Sequence, residues 1–181
     1  MKLIIFLSLI LAAILSRFVP HIPNAVPITA IAIFAGANLP KKYALTVPLL
    51  VRLISDLFLG FFSWPLMVAV YVAHLLGVGF GFWIKNSSAW QSRWLKIFSA
   101  PLFTAVIFFL ITNFAFLYSN YPHNWAGIML SYTNGLPFLR GTVIGDFGYS
   151  VALFGSFELV KYLASLGSKF FAVNKVVNRE H

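Results

Sequence analysis

The chain has 181 residues, of which 60% are hydrophobic and only 9% charged, with 20 phenylalanines and no cysteine. Soluble domains carry about a quarter charged residues, so this composition makes lipid the expected solvent, and the length suits a single domain. The missing cysteines exclude disulfides, thiol catalysis and cysteine-ligated metals, and the net charge of +9 does not gather on one amphipathic face, which argues against nucleic acid.

A bilayer asks for about 20 apolar residues per helix, fewer where protein covers part of the span. The first predicted segment is 3–16, broken by "RFVPHIPN", where two prolines and an asparagine follow in quick succession. The second, 25–38, is too short to cross lipid unaided and is expected inside a bundle. "LPKK" turns the chain into 43–60, and "FFSWP" turns it into 66–84. The polar stretch "KNSSAWQSRWLK" leads to 97–118, and "SNYPHNWAGIMLSYTNGLPF" is expected as a long outer connection with a short helix or re-entrant piece. The sixth segment is 140–166. The expected architecture is thus an all-α six-helix transmembrane bundle over 1–168, with a basic cytoplasmic tail at 169–181 that suits anionic lipid.

Orientation follows from lysine and arginine, which are retained on the cytoplasmic side. With the N-terminus inside, that side receives Lys2, Lys41, Lys42, Lys85, Arg93, Lys96, Lys161, Lys169, Lys175 and Arg179. The outer side receives Arg17 and Arg140, and Arg52 falls within a span. The expected location is the bacterial cytoplasmic membrane, crossed several times. The opening "MKLIIFLSLILAAILS" also has the charge and apolar core of a signal peptide, but Ile14 occupies one of the two positions that a cleavage site needs small.

The orientation gathers the unusual polar residues at the outer end. Arg17, His21 and Asn24 follow the first helix, Arg52 and Asp56 lie in the outer half of the third, and His74 is near the middle of the fourth. Asn113 and Tyr121 belong to the end of the fifth and its loop, and Arg140 and Asp146 open the sixth. Ionisable groups in a bilayer cost about 2.5–3.5 kcal/mol each on insertion scales and normally face a wet cavity or the bundle interior. Their convergence predicts a cup open to the outside and makes these ten residues the candidate substrate-binding set. Each also has a plainer role: Arg52 and Asp56 are one helical turn apart and can simply neutralise each other, His74 can be a core histidine, and Asn113 can bridge helices. Glu158 and Lys161 are expected to pair near the inner end. Ser8, Ala12 and Ser16, spaced by four, give the first helix a small-residue face.

The motifs "RFVPHIPN", "SDLFLG" and "YPHNWAGIMLSYTNGLPF", with the short second helix "NAVPITAIAIFAGANLP" and the sixth helix "PFLRGTVIGDFGYSVALFG", resemble a small uncharacterised family of bacterial membrane proteins. That family is similar to the substrate-binding S components of energy-coupling-factor (ECF) vitamin importers. The resemblance implies a six-helix fold that binds a small water-soluble molecule, vitamin-like or heterocyclic, among the outer helix ends. It also implies that Ser8, Ala12 and Ser16 stand where such proteins dock on a membrane scaffold protein whose partner ATPases supply energy in trans, although two of the three are serine here. Cobalt and nickel members begin Met-His; this chain begins Met1-Lys2, which counts against a metal.

No cofactor is expected. "LGSK" lacks the spacing of a phosphate-binding loop and follows no strand, so the chain is not expected to hydrolyse ATP. Three rival classes stand beside the binder. One is a structural or scaffold membrane protein. Another is a small proton-coupled carrier using Asp56 or Asp146. The third is an intramembrane enzyme with that aspartate pair, or with His21, His74 and His123 on a metal, although no hydrolase motif is present.

Overall fold

The computed structural model describes residues 2–16 and 24–177, the side chains of 2–6, 9 and 167–177 excepted. It is all-helical among the described residues, with six α-helices: α1 (Lys2–Ser16), α2 (Ile28–Asn38), α3 (Lys41–Leu59), α4 (Trp64–Lys85), α5 (Trp90–Thr112) and α6 (Trp125–Val177). A short 3-10 turn, Ala115–Leu117, sits between α5 and α6.

Helix α2 is the centre. At 1.5 Å per residue its 11 residues reach about 17 Å, roughly half a hydrocarbon core, and residues 28–37 are all buried. It touches every other α-helix, and α4 most extensively. Small side chains make that contact possible: a Cβ on Gly36 would strike the Val78 carbonyl, and one on Gly81 would strike the Ile33 carbonyl. Without a hydrophobic drive inside lipid, such close backbone approach is what holds helices together. Farther along, Phe34 meets Phe154 edge-on at 5.1 Å and Phe157 at 5.3 Å, tying α2 to α6.

Helix boundaries follow local chemistry. Pro40 ends α2 by excluding the helical conformation from the residue before it. Gly60, at φ +94°, occupies a region that only glycine enters readily; its amide still donates to the Asp56 carbonyl at 2.9 Å as α3 closes. Helix α5 begins at Trp90, seven positions before the predicted 97, and ends at Thr112. The larger difference is α6. Asn124 Oδ1 accepts the Gly127 amide at 3.0 Å, a side-chain cap that starts the helix at Trp125, well ahead of the predicted 140. Pro137 lies inside α6 and does not end it, and the backbone stays helical through Val177, into the predicted tail.

By length and composition three helices can cross a membrane: α4, α5 and the Trp125–Leu166 part of α6. This points to a membrane protein. The others fall short for identifiable reasons: α1 and α2 are short, and α3 carries Lys41, Lys42, Arg52 and Asp56 in 19 residues. Large apolar side chains such as Phe58, Phe103, Leu110 and Leu163 face outward, as a lipid solvent allows.

The connections α3–α4 and α5–α6 lie at one end of the bundle, beside Asn24. Lys41, Lys42, Lys85, Arg93 and Lys96 belong to the other end, from the element order. Glu158 pairs there with Lys161 at 2.8 Å, as expected from spacing, and also meets Arg93 at 3.6 Å.

Candidate functional site: two adjoining cavities at one end of the bundle

Helix α3 supplies the charged wall. Arg52 Nε lies 2.8 Å from Asp56 Oδ2, and the Tyr71 hydroxyl on α4 donates to the same oxygen at 3.3 Å. The guanidinium carbon sits 5.0 Å from the centre of the Phe62 ring. Asp56 is 1% exposed and belongs to neither cavity wall, whereas Arg52 is part of both. The carboxylate therefore stands behind the arginine and orients it. A planar guanidinium held at Nε is directed far more tightly than a lysine would be.

The outer cavity, about 500 Å³, opens between α3, α4, α5 and α6. Its polar groups are Asn24, Arg52, Thr112, Asn113, Tyr118, Tyr121, Ser131 and Asn134; Phe62, Phe108 and Phe138 supply rings. Ligand sites commonly span 300–1,000 Å³ and combine apolar walls with a few placed polar groups. Several of those groups are fixed by hydrogen bonds. Ser131 Oγ donates to the Asn113 carbonyl at 2.7 Å and the Tyr132 hydroxyl to the Leu110 carbonyl at 2.7 Å, clamping the first turns of α6 to the end of α5. Asn134 Nδ2 donates to the Tyr121 hydroxyl at 3.2 Å. Gly135 admits the Asn113 side chain so closely that any Cβ would collide with Asn113 Oδ1. The Tyr118 hydroxyl donates to the Thr112 carbonyl at 2.6 Å; burial, and then Tyr121, push its pKa up, so it stays a neutral donor at physiological pH.

The inner cavity, about 240 Å³, is lined by Thr29, His74, Thr142 and Asp146, and it shares Asn24, Arg52 and Phe108 with the outer one. The shared residues make the two cavities neighbours with Arg52 at the junction. His74 is buried and stacks on Phe108 at 5.2 Å. Asp146 is 1% exposed and shares the inner cavity wall with Thr29, and its Oδ2 has no hydrogen-bond partner among the described residues. Its position depends on Gly145, where a Cβ would lie 2.7 Å from the Ala25 Cα, so α6 is pressed against the segment that leads into α2.

The candidate residues distribute as follows. Asn24 and Arg52 line both cavities, Asn113 and Tyr121 the outer one, His74 and Asp146 the inner one. Asp56 supports Arg52 from behind. Arg140 is exposed on α6 and lines neither cavity, because it lies between the cavity-facing positions 138 and 142. Arg17 and His21 lie outside the described residues. Ser8 and Ala12 are exposed on α1 and Ser16 is half-buried, its hydroxyl donating to the Ala13 carbonyl at 2.7 Å; Ala13 is the residue turned inward. No group of three metal-binding side chains occurs among the described residues.

Sequence reasoning missed Tyr118, Ser131, Asn134 and Thr142. Two of them, Ser131 and Thr142, belong to a signal that was present: positions 131, 135, 138, 142 and 146 recur at three and four, one face of a helix. Reading 119–138 as a connection hid that face.

Residues 1–168 match the model of a family of unknown function, DUF6580. The chain belongs to this family. The match to DUF6580 covers α1 to α5 and α6 as far as residue 168, and includes every residue of both cavities. Nothing among the curated proteins or the solved structures matches the chain.

Proposed function

We propose that this DUF6580 protein is a multi-pass protein of the bacterial cytoplasmic membrane that binds a small water-soluble molecule from the outer side for uptake. The observation that carries the reading is the pair of adjoining cavities with Arg52 at their junction, walled by amides, hydroxyls and aromatic rings. A charged residue inside a bundle is costly, and one that reaches a cavity wall is most simply explained by a polar occupant. Most of the described lysines and arginines lie toward the opposite end, and the positive-inside rule then supports the cavity end as the outer one.

The resemblance to S components supports the same reading, with a vitamin-like or heterocyclic ligand. The chain carries no phosphate-binding loop, so uptake driven by ATP needs a membrane scaffold protein and ATPases in trans. The exposed face of Ser8 and Ala12 on α1 is then the docking candidate.

The test is thermal stabilisation of the purified protein across a panel of vitamins and nucleobases. A true ligand at a hundred times its Kd adds about 2.7 kcal/mol, and Arg52→Ala removes the effect. A panel in which nothing stabilises the wild type, or in which Arg52→Ala responds as fully as wild type, overturns the reading. One observation favours a structural membrane protein instead: Asp56 is already engaged by Arg52 and Tyr71. On that reading Arg52→Ala lowers stability and no small molecule restores it.

A further inference from the structure

Three carboxylates are described, and they do not share one situation. Asp56 is paired with Arg52, and Glu158 with Lys161 and Arg93. Asp146 makes no ion pair among the described residues; it is buried, and its Oδ2 faces no donor there. It also lines the inner cavity, whose other polar groups are Asn24, Thr29, Arg52, His74 and Thr142. The Thr142 hydroxyl is turned back to the Phe138 carbonyl at 3.1 Å, and the His74 ring is laid flat against Phe108. A buried carboxylate oxygen with no donor is destabilising, and a donor brought by a ligand removes that cost.

We propose that the inner cavity is a subsite for a hydrogen-bond-donating nitrogen of the ligand (an amine, an amidine or a ring N–H), with Asp146 as its acceptor. This rests on the reading of the two cavities as a ligand site and specifies which end of the ligand enters first. The nitrogen goes inward to Asp146, the ring lies along Phe108, which both cavities share, and a carbonyl or carboxylate is left beside Arg52 at the junction. An ionised donor gains most, because charge-assisted hydrogen bonds are roughly twice as strong as neutral ones. The ligand class is therefore a ring compound with a basic or N–H-bearing end and an acceptor end. Asp146 is its specificity-determining residue.

Three probes of one shape test this on the full chain purified in detergent: 4-amidinobenzoate with both end groups, benzamidine with the nitrogen end alone, and benzoate with the acceptor end alone. In wild type the expected order of affinity is 4-amidinobenzoate, then benzamidine, then benzoate. Asp146→Asn weakens both amidines by about tenfold or more and leaves benzoate within about twofold. Asp146→Glu retains the preference for amidines at reduced affinity, and Thr133→Ala, exposed on α6 and outside both cavity walls, binds as wild type. Benzoate binding as well as benzamidine, or Asp146→Asn leaving the amidine affinities unchanged, overturns the subsite while the cavities remain a binding site. Binding of none of the three overturns the subsite and the ligand-site reading for ring compounds of this size. If Asp146→Asn does not fold, the wild-type order of the three probes decides alone.

Discussion

Arg52 and Asp56 show how two charges survive inside an apolar helix. The pair is compact, at 2.8 Å, and Asp56 has a further donor in Tyr71. Removing one member of a buried pair leaves the other uncompensated, which typically costs about 3–5 kcal/mol, whereas removing both can be nearly neutral. Asp56→Ala is therefore expected to destabilise strongly, and Arg52→Ala/Asp56→Ala to recover much of that loss. A double-mutant cycle on unfolding free energies in detergent checks this. Equal losses for Asp56→Ala and the double variant would show that burial, and not pairing, sets the cost. Arg52→Lys keeps the charge and loses the planar fork, so its effect on ligand affinity should exceed its effect on stability.

At the level of helices, the contact between α2 and α4 is the joint on which the cavity end rests. Gly36 and Gly81 bring two backbones together where no side chain fits, while Gly79, between Gly77 and Gly81 on α4, has open space around it. Gly81→Val should cost at least the 1–3 kcal/mol typical of overpacking, because the clash is with backbone that cannot rotate away. Gly79→Ala should be neutral or stabilising by up to about 1 kcal/mol, from helix propensity. Thermal unfolding of the two variants side by side separates close approach from helix propensity. The start of α6 gives a second check. Asn124→Ala removes the cap on the Gly127 amide and should cost about 0.5–2 kcal/mol. Hydrogen exchange should show the loss as fraying confined to the first turn, beside the outer cavity.

For the whole molecule, the separation of basic residues from the cavity mouth is the property to test, since direction of binding depends on it. The chain has no native cysteine, so single cysteines report topology without background. Ser119, in the α5–α6 connection, and Ser88, in the α4–α5 connection, are both exposed. Ser119→Cys should react with a membrane-impermeant maleimide on intact cells, and Ser88→Cys only after lysis. The reverse pattern would place the cavities on the cytoplasmic side and remove the uptake reading. The outer surface of the bundle is apolar, with Trp64 and Trp125 exposed toward the cavity end and Trp83 and Trp90 toward the other, as rings at two interfaces would be.

The sequence by itself determined the helical class, the apolar character that points to a membrane protein and the bias of its basic residues along the chain. Those properties follow from composition, from apolar runs and from the bias of lysine and arginine, each of which is additive along the chain. It also marked α2 as too short to stand alone. The start of α6 is legible in Asn124, an ordinary cap, and Pro137 is accommodated inside the helix. Tertiary structure alone decided which polar groups share a wall. Arg52 and Asp56 are one turn apart and look equivalent in sequence, yet one lines both cavities and the other stands behind it. Asp56 has its partner one turn away on its own helix, whereas Asp146 has none there, and only the packing of α6 beside Ala25 shows that its Oδ2 meets no hydrogen-bond partner among the described residues. The physical reason is that a side chain's partner is set by the neighbouring helix, and neighbours in space are chosen by close contacts such as Gly36 on Gly81, which no local pattern records.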